Sequence, residues 1–147
     1  MIFFTDRDLG RKKFPGILRD GGVRVETHFD HFPPAAPDTE WIPEVARRGW
    51  FILSNDKGIM RNPIEREAIL THNAGLFILV GGSMRADLLA RNFVNTSTEV
   101  LRFIKEHPRP FIAKVYRPSP VELIEKGRTG RVVLKYPIDR RQAVHGD

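Results

Sequence analysis

Ile2-Phe3-Phe4-Thr5-Asp6-Arg7-Asp8 is the stretch on which the fold turns. The apolar run is too short for a helix, and it is apolar at successive positions rather than alternate ones, as in a strand buried on both faces. Strands of that kind belong to parallel sheets covered by helices on either side. The abrupt change to Asp6-Arg7-Asp8 puts Asp6 at the end of the first strand.

Outward from there, strands and helices alternate. Residues 12–19 read as a short helix that tolerates Pro15 in its first turn and stops at Gly21-Gly22, and residues 23–27 resume strand character. Pro33, Pro34 and Pro37 make residues 28–37 an irregular loop. Asp38 then serves as N-cap of a helix running to about Arg48, with Glu40 in its first turn. Trp50-Phe51-Ile52-Leu53 repeats the pattern of the first strand and breaks at Ser54-Asn55-Asp56-Lys57-Gly58, so Asp56 follows the third strand as Asp6 follows the first. A helix over 63–72, a buried strand over 76–80, helical spacing over 84–106 with a break near Asn95-Thr96-Ser97, and a strand over 111–116 complete the series.

Such alternation implies an α/β fold: a mainly parallel central sheet with right-handed crossovers and helices on both faces. The tail differs, because two alternating runs, 121–124 and 131–134, flank Lys126-Gly127-Arg128-Thr129-Gly130 and read as an appended hairpin. The expected division is a domain over 1–117 and an extension over 118–147 whose end, from Ile138, is charged and frayed.

With no cysteine among 147 residues, disulfides and thiolate metal sites are excluded, and any metal must be held by oxygen or imidazole. No apolar run reaches the ~20 residues of a membrane helix, and residues 1–4 carry no basic leader, so the expected location is the cytoplasm, away from membranes. A net charge of +6 and a pI near 10.1 suit a polyanionic partner such as nucleic acid, although a basic solvated surface explains the same numbers.

In open parallel sheets ligands collect at the carboxyl edge, where Asp6 and Asp56 both emerge and where the helix bearing Asp38 and Glu40 begins. Carboxylates gathered there repel one another, and a divalent cation relieves the conflict. Mg²⁺ or Mn²⁺ prefers oxygen ligands and makes a bound water easier to deprotonate for attack on phosphorus. Two other motifs carry less. His28, Asp30 and His31 are thin support for zinc in a proline-rich loop, which reads instead as a substrate-side loop, and Gly81-Gly82-Ser83 lacks the spacing of a phosphate-binding loop.

The segments FFTDRDLG, PDTEW and LSNDKGI, in that order within an α/β frame, resemble the PIN-like domains related to the VapC ribonucleases of toxin-antitoxin pairs, over roughly residues 2–116. The resemblance implies a three-layer PIN-like fold and a Mg²⁺- or Mn²⁺-dependent endoribonuclease hydrolysing RNA phosphodiesters, with an antitoxin protein and a second copy of the chain as expected partners. It places catalytic roles on Asp6, Glu40 and Asp56, and metal binding on Asp6, Asp38, Glu40 and Asp56. Lys57, Arg61 and Arg66 are the candidates for RNA phosphates, or else a solvated helix face. Asp8 reads as a solvated or helix-start residue. The chain departs from the family pattern at the fourth acidic position: Asp56 is followed by Lys57, Gly58 and Arg61, leaving Asn62, Glu65 or a carbonyl to complete a metal shell. The alternative is therefore a non-catalytic PIN-like module that binds RNA or protein. A receiver-like domain fits less well, for want of the expected Thr and Lys after the later strands.

Overall fold

A computed structural model describes residues 1–55, 58–81 and 83–138, with the backbone alone at Ile59 and Met60. In chain order the regular elements are β1 (Phe3–Thr5), α1 (Lys13–Asp20), β2 (Val25–Thr27), α2 (His28–His31), α3 (Asp38–Arg47), β3 (Phe51–Ser54), α4 (Gly58–Arg61), α5 (Pro63–Thr71), β4 (Gly75–Leu79), α6 (Ala86–Asn95), α7 (Ser97–Glu106), β5 (Phe111–Tyr116) and β6 (Arg131–Tyr136). The strands form one sheet in the order β2-β1-β3-β4-β5-β6, parallel throughout except for the antiparallel β5–β6 pair.

Strand side chains alternate between faces, and the core divides accordingly. Phe3, Phe51, Leu53, Phe77, Leu79 and Phe111 meet α1, α6 and α7 on one side through Phe14, Leu18, Phe93 and Phe103. Phe4, Ile52, Leu76, Ile78 and Ile112 meet α3 and α5 on the other through Trp41, Ile42, Val45 and Ile69. This is the three-layer arrangement the both-sided apolar strands imply. The single break in the helical stretch falls at Thr96, between α6 and α7.

The chain steps from β1 to β2 on one side and then over β1 to β3 on the other. Its connecting helices α1 and α3 consequently cover opposite faces. The crevice between the carboxyl ends of β1 and β3 is thus the topological switch point, where ligands of open α/β sheets bind.

Three local expectations are corrected. Residues 28–37 are not wholly irregular: the Thr27 hydroxyl accepts from the Asp30 N–H at 3.3 Å and caps the short α2 before the prolines begin. The N-cap of α3 is Pro37, and Asp38 is the first helical residue. The tail forms no hairpin of its own. Val121–Leu123 is one 3-10 turn followed by the buried Ile124, while Arg131–Tyr136 pairs with β5 and extends the main sheet. No helix among the described residues is long and apolar enough to cross a membrane.

Candidate metal centre

Asp6 leaves β1 at the switch point. Its N–H bonds the Leu53 carbonyl of β3 at 3.0 Å, and its carboxylate turns back to accept the Arg7 N–H at 2.7 Å, capping a 3-10 turn over Arg7–Leu9. That turn throws Asp8 across to β3. There Asp8 accepts from the Ser54 hydroxyl and the Asn55 N–H, each at 3.0 Å, and so fastens the segment leading into Asp56. Asp8 is exposed, as a solvated residue would be, but it is also a tie between two strand ends.

Asp38 arrives from the other side. Being first in α3, it has Trp41 one turn on, and the indole Nε1–H donates to Asp38 Oδ1 at 3.0 Å. Trp41 is fully buried beside Phe4 and His28, so the carboxylate is anchored to the core. Glu40 lies two residues after Asp38, more than half a turn around the helix, and is exposed. Of the two, Asp38 is the one tied to Arg7 and lining a cavity with it.

Between Asp6 and Asp38 sits Arg7. Its Nε is 3.7 Å from Asp6 Oδ1 and its second terminal nitrogen 3.3 Å from Asp38 Oδ1, while the first terminal nitrogen donates to the carbonyls of Pro34 and Ala36. Both aspartates spend Oδ1 on these contacts, and neither Oδ2 has a hydrogen bond among the described residues. Arg7, Asp38, Asn62 and Glu65 line one open cavity of about 390 Å³, which brings two of the candidate substitutes for a fourth acid to Asp38.

Burial, and then the nearby charges of Asp8 and Asp38, push the Asp6 carboxyl up to about 7, against the pull of the Arg7 N–H and guanidinium. A carboxylate so destabilised by burial and by its neighbours is one a cation would relieve, and the carboxylate and amide groups gathered here offer oxygen ligands, which suit Mg²⁺ or Mn²⁺. Among the described residues no three His, Asp or Glu side chains are close enough to hold a metal by themselves. Asp56, next after Asn55, lies outside the described residues, as does Lys57.

The remaining candidates are dispersed. Arg61 is exposed at the end of α4, and Arg66 lies over the ring of Tyr136 at 5.0 Å. His28 is sealed among Phe4, Phe32 and Trp41 with neither ring nitrogen partnered, while His31 pairs with Glu26 at 2.8 Å, so the two do not form a zinc site. Burial and the positive charge of Arg7 lower the pKa of His28, against a smaller opposing effect of Asp38. What the sequence reading missed is the pairing of Arg7 and Asp8 with this edge. The one available signal was the charge alternation Asp6-Arg7-Asp8 directly after a buried strand.

A parallel α/β sheet with a strand-end aspartate, Asp6, joined through Arg7 to a helix-start aspartate, Asp38, at its switch point is the frame of a PIN-like domain, and the chain belongs to that family: the model described as "PIN like domain" matches residues 1–81. More particularly, it is related to the VapC toxins. It is 32% identical over 122 residues, 80% of this chain and 87% of the other, to the Mycobacterium tuberculosis (strain ATCC 25618 / H37Rv) protein named "Putative ribonuclease VapC45". No solved structure matches the chain.

Proposed function

We propose that this protein is a Mg²⁺- or Mn²⁺-dependent endoribonuclease that hydrolyses RNA phosphodiesters, and that it acts as the toxin of a toxin-antitoxin pair. The observation that carries the reading is the convergence of Asp6 and Asp38, each with Oδ1 fixed by the protein and Oδ2 left without a hydrogen bond among the described residues. The name of the mycobacterial relative supports the choice of RNA as substrate and of an antitoxin as partner.

In this reading Asp6, Asp38 and Asp56 hold the cation. Asn62 and Glu65, which share a cavity wall with Asp38, are the candidates to complete its surroundings. A bound divalent ion would supply Lewis-acid polarisation of the phosphodiester and lower the pKa of water. The protein's own contribution is placement. Asp8 holds the Ser54-Asn55 end of β3, Trp41 and Arg7 hold Asp38, and the short β1 holds Asp6 against both. Arg61 and Lys57 are proposed to meet RNA phosphates, and Arg66 to do so from its place over Tyr136. A cytoplasmic location and a homodimer accord with this role.

The test is cleavage of labelled RNA with Mn²⁺ or with chelator, in the parent and in two variants. Asp38→Asn should lose activity by at least the roughly 10–100-fold that loss of a mere outer partner of a metal ligand costs. Glu40→Gln should stay within a few-fold of the parent, since Glu40 is exposed and lies more than half a turn around α3 from Asp38. Equal losses in both variants, or cleavage that ignores chelation, would refute the assignment. Retained RNA binding without any cleavage would make the domain a binding module instead.

A further inference from the structure

We infer that Arg7 is a positioning residue for the acidic centre, a clamp that fixes where Asp38 stands relative to Asp6. The inference rests on the metal site proposed above and adds to it a residue outside the ligand set. Arg7 spends its guanidinium on the protein itself: Nε toward Asp6, one terminal nitrogen toward the carbonyls of Pro34 and Ala36, the other toward Asp38. Those acceptors lie in two separate pieces of chain. Asp6 directly follows β1, whereas Pro34, Ala36 and Asp38 belong to the segment that leads into and begins α3.

That segment needs such a clamp. Pro33, Pro34 and Pro37 supply no backbone N–H, and the Ala36 N–H turns back on the Pro33 carbonyl at 3.0 Å, so no ladder of backbone bonds ties it to the sheet. The planar fork of arginine can engage several acceptors in fixed directions. A lysine would bring the same charge but only a point donor. Placement by the fork, rather than supply of positive charge, is therefore the function assigned to Arg7.

Arg7→Lys separates the two, because it keeps the charge and loses the fork. Hydrogen exchange in chelator reports the clamp directly through the amides of Ala36, Glu40 and Trp41, which bond the Pro33 and Pro37 carbonyls. These amides should exchange severalfold faster in Arg7→Lys, while those of β4 keep the parent's rates. Exchange as slow as the parent's would overturn the assignment, and acceleration in β4 as well would do so by showing general destabilisation. Mn²⁺ binding, read by electron paramagnetic resonance, should weaken by about tenfold or more in Arg7→Lys, as when an outer partner of a ligand is lost. Parent-like or tighter Mn²⁺ binding would make charge the operative property and refute placement. In Arg7→Ala, methylguanidinium should restore both slow exchange and Mn²⁺ binding, and failure to restore either counts against the clamp. If the parent itself binds no Mn²⁺, the metal reading fails, and the exchange arm still decides the clamp.

Discussion

At the scale of single residues, the centre is a conflict of charge held in place by the chain. Burial and the neighbouring carboxylates of Asp8 and Asp38 lift Asp6 to about 7, so in metal-free protein its ionised form is a cost that grows as the pH rises from the ordinary carboxylate range through 7. A raised folded-state pKa means the stabilising contribution is complete at low pH and lost on the way up. His28, whose pKa is lowered, acts in the opposite direction, losing stability as the pH falls below about 6.5. Comparing parent with Asp6→Asn cancels His28 and leaves Asp6. Asn keeps the carbonyl oxygen that caps the Arg7 N–H. In chelator, the stability of Asp6→Asn relative to the parent should therefore grow by about 2–3 kcal/mol between pH 5 and pH 8. Denaturant melts at the two pH values measure it, and a difference independent of pH would show that Asp6 is not strained.

Elements show why some features were legible and others hidden. The strands β1, β3, β4 and β5 announce themselves because both faces are buried and their apolar runs are unbroken. Local signals also place Asn62 and Pro63 at the start of α5. The clamp was not legible, since the acceptors of Arg7 in the α3 segment lie 27 to 31 residues away and the donors to Asp8 lie 46 and 47 away. β6 was misread for the same reason: its partner β5 is remote in sequence, and alternation alone does not say which strand a strand joins. α2 was hidden by the prolines that follow it, although Thr27 carried the cap. Gly75 is a feature whose meaning appears only once the sheet is assembled. It opens β4 between the stacked rings of Phe51 and Phe111, and a Cβ there would come within 2.8 Å of one ring and 2.9 Å of the other. Gly75→Ala should destabilise the domain by about 1–3 kcal/mol through overpacking, visible in denaturant melts, and a neutral result would mean the aromatic stack yields without cost.

The whole molecule is a strand-order switch flanked by two helical layers, and that topology explains why sequentially distant acids meet. Asp6 follows β1, and α3, which begins at Asp38, enters over the same crevice because the chain must cross from β2 to β3. The chain's net charge of +6 suits a polyanionic partner. The account stands on a divalent ion held by Asp6 and its neighbours, and the most direct measurement is the melting temperature of parent and Asp6→Asn with and without Mn²⁺, beside RNA cleavage in the same tubes. The parent should melt higher with Mn²⁺ and cleave, by the linkage of binding to stability, and Asp6→Asn should melt at one temperature in both and leave the RNA whole. A parent whose melting ignores Mn²⁺, or an Asp6→Asn protein that cleaves as the parent does, would contradict the account.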